Sequence, residues 1–122
     1  MRGLGIDIIE VNRIRAITSR YGLRFLQRIY TQRELAYCRT PAGEHRYTSL
    51  AARFAAKEAF YKAVFPQLQQ PISWQDCEVT NDDDQVPSLK LSVQLNKRLN
   101  QPQILLSLSH CENYAVAIVV IE

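Results

Sequence analysis

From Tyr47 to Phe65 the chain runs without a glycine or proline, and Pro66 then stands where a helix would stop. This predicts one long helix, the largest element of the fold. Projected at about 3.6 residues per turn, it separates two faces. Ala52, Ala55, Ala56, Ala59, Phe60, Ala63 and Val64 share one, and their small side chains suit close packing. Arg53, Phe54, Lys57, Glu58, Tyr61 and Lys62 share the other. Glu58 therefore lies in a polar stripe, with Lys62 one turn beyond it.

The remaining elements are shorter. Gly3 to Ile9 is apolar and β-branched, which predicts a strand ending near Glu10, interrupted only by Asp7. Val11, Ile14 and Ile17 give helical spacing up to Ser19, and Gly22 breaks that helix. A second helical piece from Leu23 to Tyr30 buries Leu23, Leu26 and Ile29 or Tyr30, leaving Arg24 and Arg28 together on its other side. Thr31 and Glu34 form a capping-box pattern, so a short helix should run to about Arg39. Gln67 to Pro71 reads as a polar loop. Further on, Asp76–Thr80 and Leu89–Leu91 read as strands around an acidic turn over Asn81–Pro87. Ser92 can cap a helix through Leu99, with Val93, Leu95 and Leu99 inward. Ile104–Ser109 and Tyr114–Ile121 read as an antiparallel hairpin. This order predicts an α+β fold, a small antiparallel sheet packed by one long and several short helices, in a single domain over residues 1–122.

Composition narrows the setting. Hydrophobic residues make up 47% and charged residues 22%, values of a soluble globular protein. The longest apolar run, Tyr114–Ile121, is a strand's length and far short of a membrane span. Arg2, Asp7 and Glu10 interrupt any apolar core that a signal peptide would need. Cys38, Cys77 and Cys111 are odd in number and unpaired in spacing, so they read as reduced thiols in the cytoplasm, not as a disulfide frame or zinc site. Charge is divided unevenly. Residues 1–62 hold twelve basic and five acidic side chains, whereas residues 63–122 hold three and seven. Val11 to Arg33 contains Arg13, Arg15, Arg20, Arg24, Arg28 and Arg33 and no acid. A field of one sign steers an opposite partner, which could be nucleic acid, a membrane surface or an acidic protein, or it could simply be a solvated face.

Asp7 and Glu58 are the two acids that ask for a partner. A charge in an apolar strand is seldom buried without a counter-ion or a metal. Two carboxylates from separate elements, with water completing the shell, suit magnesium, which often shares its site with substrate phosphates. Lys62, with Arg53 and Lys57, could then neutralise phosphate oxygens. The plainer alternatives are a Glu58–Lys62 pair along the helix and Asp7 as a cap for the helix that follows.

The segment Gly5-x-Asp7 with Arg13, and the block Arg53-Phe54-Ala55-Ala56-Lys57-Glu58-Ala59-Phe60-Tyr61-Lys62, resemble the two signatures of the phosphopantetheinyl transferases. Arg24-Phe25, Arg28, Thr31-x-x-Glu34-Leu35, Ser107-Leu108-Ser109-His110 and Tyr114-Ala115-Val116-Ala117 narrow the resemblance, end to end, to the small bacterial holo-acyl-carrier-protein synthases. The resemblance implies transfer of the 4′-phosphopantetheine arm of coenzyme A to a serine of an apo acyl carrier protein, releasing adenosine 3′,5′-bisphosphate. It implies Asp7 and Glu58 as magnesium ligands, with Asp7, Glu58 and Lys62 carrying catalysis. Arg53, Lys57, Lys62 and His110 are implied to hold coenzyme A. Arg13, Arg20, Arg24, Phe25 and Arg28 are implied to dock the acidic carrier, and a homotrimer is implied, with sites between subunits. No nucleic-acid or membrane partner is expected; the main rival is a basic nucleic-acid module, against which few aromatics lie near the arginines and no DNA-binding pattern occurs. Two stretches depart from the family pattern: Pro66–Pro71, usually glycine-rich, and Asp84-Gln85-Val86-Pro87, often Asn-Gly-x-Pro. A carrier-binding relative without transfer activity is the rival those departures leave open.

Overall fold

In a computed structural model, residues 2–81 and 86–122 are described. Strand β1 (Gly3–Glu10) pairs antiparallel with β5 (Tyr114–Ile121), which pairs on its other side with β4 (Ile104–His110). The spatial order is therefore β1-β5-β4. Helix α4 (Tyr47–Leu68) lies across one face of this sheet, where Ala115, Ala117, Val119 and Ile121 of β5 are fully buried.

The inward face of β1 has unusually little side chain: Gly3, Gly5, Asp7 and Ile9. A Cβ on Gly5 would sit 1.9 Å from the Ala59 carbonyl oxygen, and one on Gly3 would sit 2.2 Å from that of Ala63. Strand backbone thus rests directly on helix backbone, and only glycine permits that approach. The outward face of the same sheet is apolar and uncovered. Leu4, Ile6 and Ile8 are more than half exposed, with Leu105 and Ile118 beside them.

Helices α1 (Val11–Tyr21) and α2 (Leu23–Ile29) meet at Gly22, whose φ of 59° turns the chain between them. Helix α3 (Gln32–Tyr37) opens on the expected capping box and stops short of Arg39. Strands β2 (Cys77–Asn81) and β3 (Pro87–Leu91) form a second, two-stranded antiparallel sheet, and α5 (Val93–Arg98) follows, capped by Ser92. The α+β class stands, with the strands divided between two sheets.

Four expectations are corrected. Pro66 does not stop α4, which continues to Leu68 and closes where Gln69 adopts φ 52°. The proline forfeits its own ladder bond there, and the helix runs only two residues beyond it. Gln67 and Leu68 are therefore helical. Leu23 and Val93 are exposed at 56% and 72%, because each begins a short helix whose core contacts come from later turns. Finally, α4 is buried nearly all round, including Arg53 and Lys57. Asp84 and Gln85 lie outside the described residues. Cys38 and Cys77 are buried free thiols, pushed by burial up to about 11 and about 12, while free Cys111 is exposed.

Candidate active site

The glycine contact decides where Asp7 goes. Because β1 leans on α4 through Gly3 and Gly5, the next inward residue, Asp7, emerges beside the polar turn of α4 that carries Glu58 and Lys62. Lys62 Nζ donates to Asp7 Oδ1 at 3.0 Å and to the Ile6 carbonyl at 3.1 Å. Lys62, for which a pair along the helix with Glu58 was the plainer alternative, thus reaches across to the strand instead. Asp7 is no helix cap either, since the α1 N-cap is Glu10 and makes no side-chain cap bond.

Partial burial raises the Glu58 carboxyl above its ordinary range, and the neighbouring Asp7 charge adds to this. Lys62 and Arg13 oppose the shift. Two mutually repelling carboxylates, one of them desolvated, form a place that a cation would relieve. Among the described residues no group of three or more His, Cys, Asp or Glu could hold a metal. Two carboxylates alone fit magnesium, which keeps several waters and takes phosphate oxygens as further ligands, and do not fit zinc. Beside Glu58 opens a cavity of about 270 Å³, largely apolar, lined also by Tyr61, Pro71, Ile72 and Trp74.

Lys57 is not available to phosphate as expected. It is 2% exposed, and its ammonium bonds Glu34 Oε1 at 2.9 Å, the Trp74 carbonyl at 2.9 Å and the Cys77 carbonyl at 2.6 Å. A lysine ammonium has three donors, so all are in use. Glu34, itself 1% exposed, also accepts from the backbone amides of Thr31 and Val79. Sequence reasoning found Glu34 as a cap but missed it as the counter-ion of a buried pair. No local signal marked the pair, because helical projection put Lys57 on the polar face of α4, away from the alanine-rich one.

Arg53 is also buried, with Nη2 donating to Asn81 Oδ1 at 2.8 Å and its guanidinium 4.1 Å above the Tyr37 ring. It borders a second cavity of about 270 Å³ with Arg33 and Thr80, separate from that of Glu58. His110 ends β4, exposed, two strands over from β1. The chain thus joins Asp7, Glu58, Lys62 and Arg13, and leaves Arg53 and His110 apart from them.

The arginine segment does build a surface. Arg24, Phe25 and Arg28 line a groove of about 570 Å³ with Ile17, Tyr21 and Trp74. Arg20 sits 5.4 Å from the Tyr21 ring, while Arg15 turns away to lie over Tyr47. An apolar floor between guanidinium groups suits an amphipathic acidic partner.

Comparison with known proteins shows the family. Residues 3–119 match the 4′-phosphopantetheinyl transferase superfamily. The holo-acyl-carrier-protein synthase of Protochlamydia amoebophila is 44% identical over 121 residues, covering 97% of this chain and 95% of the relative. That of Chloroherpeton thalassium is 44% identical over 119 residues, covering 98% and 96%. The Helicobacter pylori enzyme, solved in complex with coenzyme A, superposes with a TM-score of 0.84 at 30% identity, covering 98% of this chain and 99% of that one. The Neisseria meningitidis enzyme gives 0.86 at 33% identity, covering 100% and 98%.

Proposed function

The chain belongs to the 4′-phosphopantetheinyl transferase superfamily and is an enzyme of that class, and we propose that it converts apo acyl carrier protein to the holo form. Coenzyme A is the donor, a carrier serine the acceptor, and adenosine 3′,5′-bisphosphate the leaving product. The observation that carries this reading is the meeting of Asp7, Glu58 and Lys62 between β1 and α4, beside an apolar cavity.

In the transfer, the serine oxygen forms a new bond to the phosphorus bearing the pantetheine arm. The diphosphate bond breaks, and the nucleotide leaves with the electron pair. Asp7 and Glu58 would hold magnesium, which when bound supplies Lewis-acid polarisation of the diphosphate. Glu58 takes up the serine proton, directly or through water. Lys62, 52% exposed at its side chain, can turn from Asp7 to the departing phosphate charge. Arg53 and His110 contact the nucleotide phosphates in the family. Since they lie apart from Glu58 within one protomer, a neighbouring copy would bring them to it. The uncovered apolar face of Leu4, Ile6, Ile8, Leu105 and Ile118 supports a homotrimer closed over that face. Among the described residues no helix is long and apolar enough to cross a membrane, and we place the enzyme in the cytoplasm, serving fatty-acid and lipid synthesis.

Incubation with coenzyme A, magnesium and apo acyl carrier protein tests the proposal. One phosphopantetheine mass gain on the carrier is expected, and no gain on any apo carrier overturns it. Reversal of Arg24 or Arg28 to Glu should lower kcat/KM for the carrier by about tenfold or more, as loss of a steering charge does. Affinity for coenzyme A should stay unchanged in a binding titration, and the carrier effect should shrink as salt rises.

A further inference from the structure

Trp74 is the chain's one tryptophan, and it borders two cavities at once. On one side it lines the apolar cavity of Glu58, with Tyr61 and Ile72. On the other it lines the arginine groove, with Phe25 and Arg28. Phe54 stacks on it at a centroid distance of 5.2 Å and an interplanar angle of 25°, backing the ring from α4.

The 3-10 turn that carries it, Trp74–Asp76, is fastened on every side. Lys57 Nζ donates to the Trp74 carbonyl from the buried pair with Glu34. Gln75 Nε2 donates to the carbonyls of Gln27 and Tyr30, tying the turn to α2, the helix that presents Arg24 and Arg28. Asp76 closes a capping box with Ser73 and accepts from the Ser92 hydroxyl. These bonds hold the backbone of the turn and leave the half-buried indole as its movable part, which a ligand in either cavity would order. An indole gives an apolar face and one N–H donor, which matches a flexible amide chain on one side and a partly apolar helix on the other.

We propose that Trp74 is a positioning residue that both substrates touch: the donor's amide-containing arm from the Glu58 cavity and the acidic carrier from the arginine groove. The two ligands are therefore coupled through this wall, each presenting to the other a side chain already packed. This rests on the transferase reading above.

The protein's own emission tests it, because all tryptophan signal comes from Trp74. In magnesium-free buffer, coenzyme A alone and apo carrier alone should each change the emission. Saturating coenzyme A should tighten carrier binding by about fivefold or more, the usual scale of site coupling. Trp74→Ala, followed by calorimetry, should lose that coupling and raise KM for both substrates, while Trp74→Phe keeps most of it. An emission silent to either substrate overturns the inference, as does undiminished coupling in Trp74→Ala. If Trp74→Ala does not fold, the wild-type emission and Trp74→Phe decide. Absence of any phosphopantetheine transfer would instead overturn the reading beneath it, so the two failures are distinct.

Discussion

Glu58→Ala and Asp7→Ala should each lower transfer by about 10²–10⁴-fold or more, the loss expected when a proton acceptor is removed, with a metal ligand lost besides. Carrier mass analysis over a time course measures this. The accompanying stability change is informative in sign. The native carboxyl of Glu58 is raised by burial and by Asp7, so the folded state holds its proton more firmly than the unfolded chain. Its ionisation therefore costs stability as pH rises through the raised value. Glu58→Gln should be as stable as the parent or more so at neutral pH, and that advantage should vanish in acid, where Glu58 is protonated anyway. A variant that unfolds more readily at neutral pH, or keeps full magnesium-dependent turnover, contradicts the assignment.

Lys57→Ala should lower unfolding free energy by about 3–5 kcal/mol, because it leaves Glu34 buried and charged without its partner. For a small domain with roughly 5–15 kcal/mol in total, this is a large share. The cost should fall on stability first and only secondarily on coenzyme affinity. Denaturant melts of Lys57→Ala, and of Lys57→Met combined with Glu34→Gln, separate the two. The double variant should recover part of the loss, since no buried charge remains. If Lys57→Ala were to leave stability within about 1 kcal/mol of the parent, the scale of an ordinary surface substitution, while coenzyme binding collapsed, Lys57 would return to the phosphate site.

Much of this molecule is legible from its residues because local chemistry and tertiary packing agree. The hairpin of β4 and β5, the Gly22 break, the Thr31 capping box and the Ser92 cap each follow from a few adjacent side chains. Asp7 stands out as an acid in an apolar strand, and the structure sets it beside the helix that carries Glu58. The fates of Arg53 and Lys57 were not legible. Projection onto a helix tells which residues share a face, not how many neighbours surround that helix, and α4 has neighbours on almost every side. The turn at Trp74 escaped for a related reason. Its anchors come from Gln27, Tyr30, Lys57 and Ser92, all remote in sequence. Pro66 misled because a rule for helix interiors was applied to a final turn.

Two absent methyl groups, at positions 3 and 5, act as the ruler of the reaction centre. The gap between the acid on the strand and the acid on the helix is gauged by main chain against main chain, with no side chain in between to compress or swing. Substitutions elsewhere in the core can drift without altering that gauge. Any residue larger than hydrogen at position 5 would pry the two supports apart, and a displacement of about 1 Å is enough to cost on the order of a hundredfold in rate.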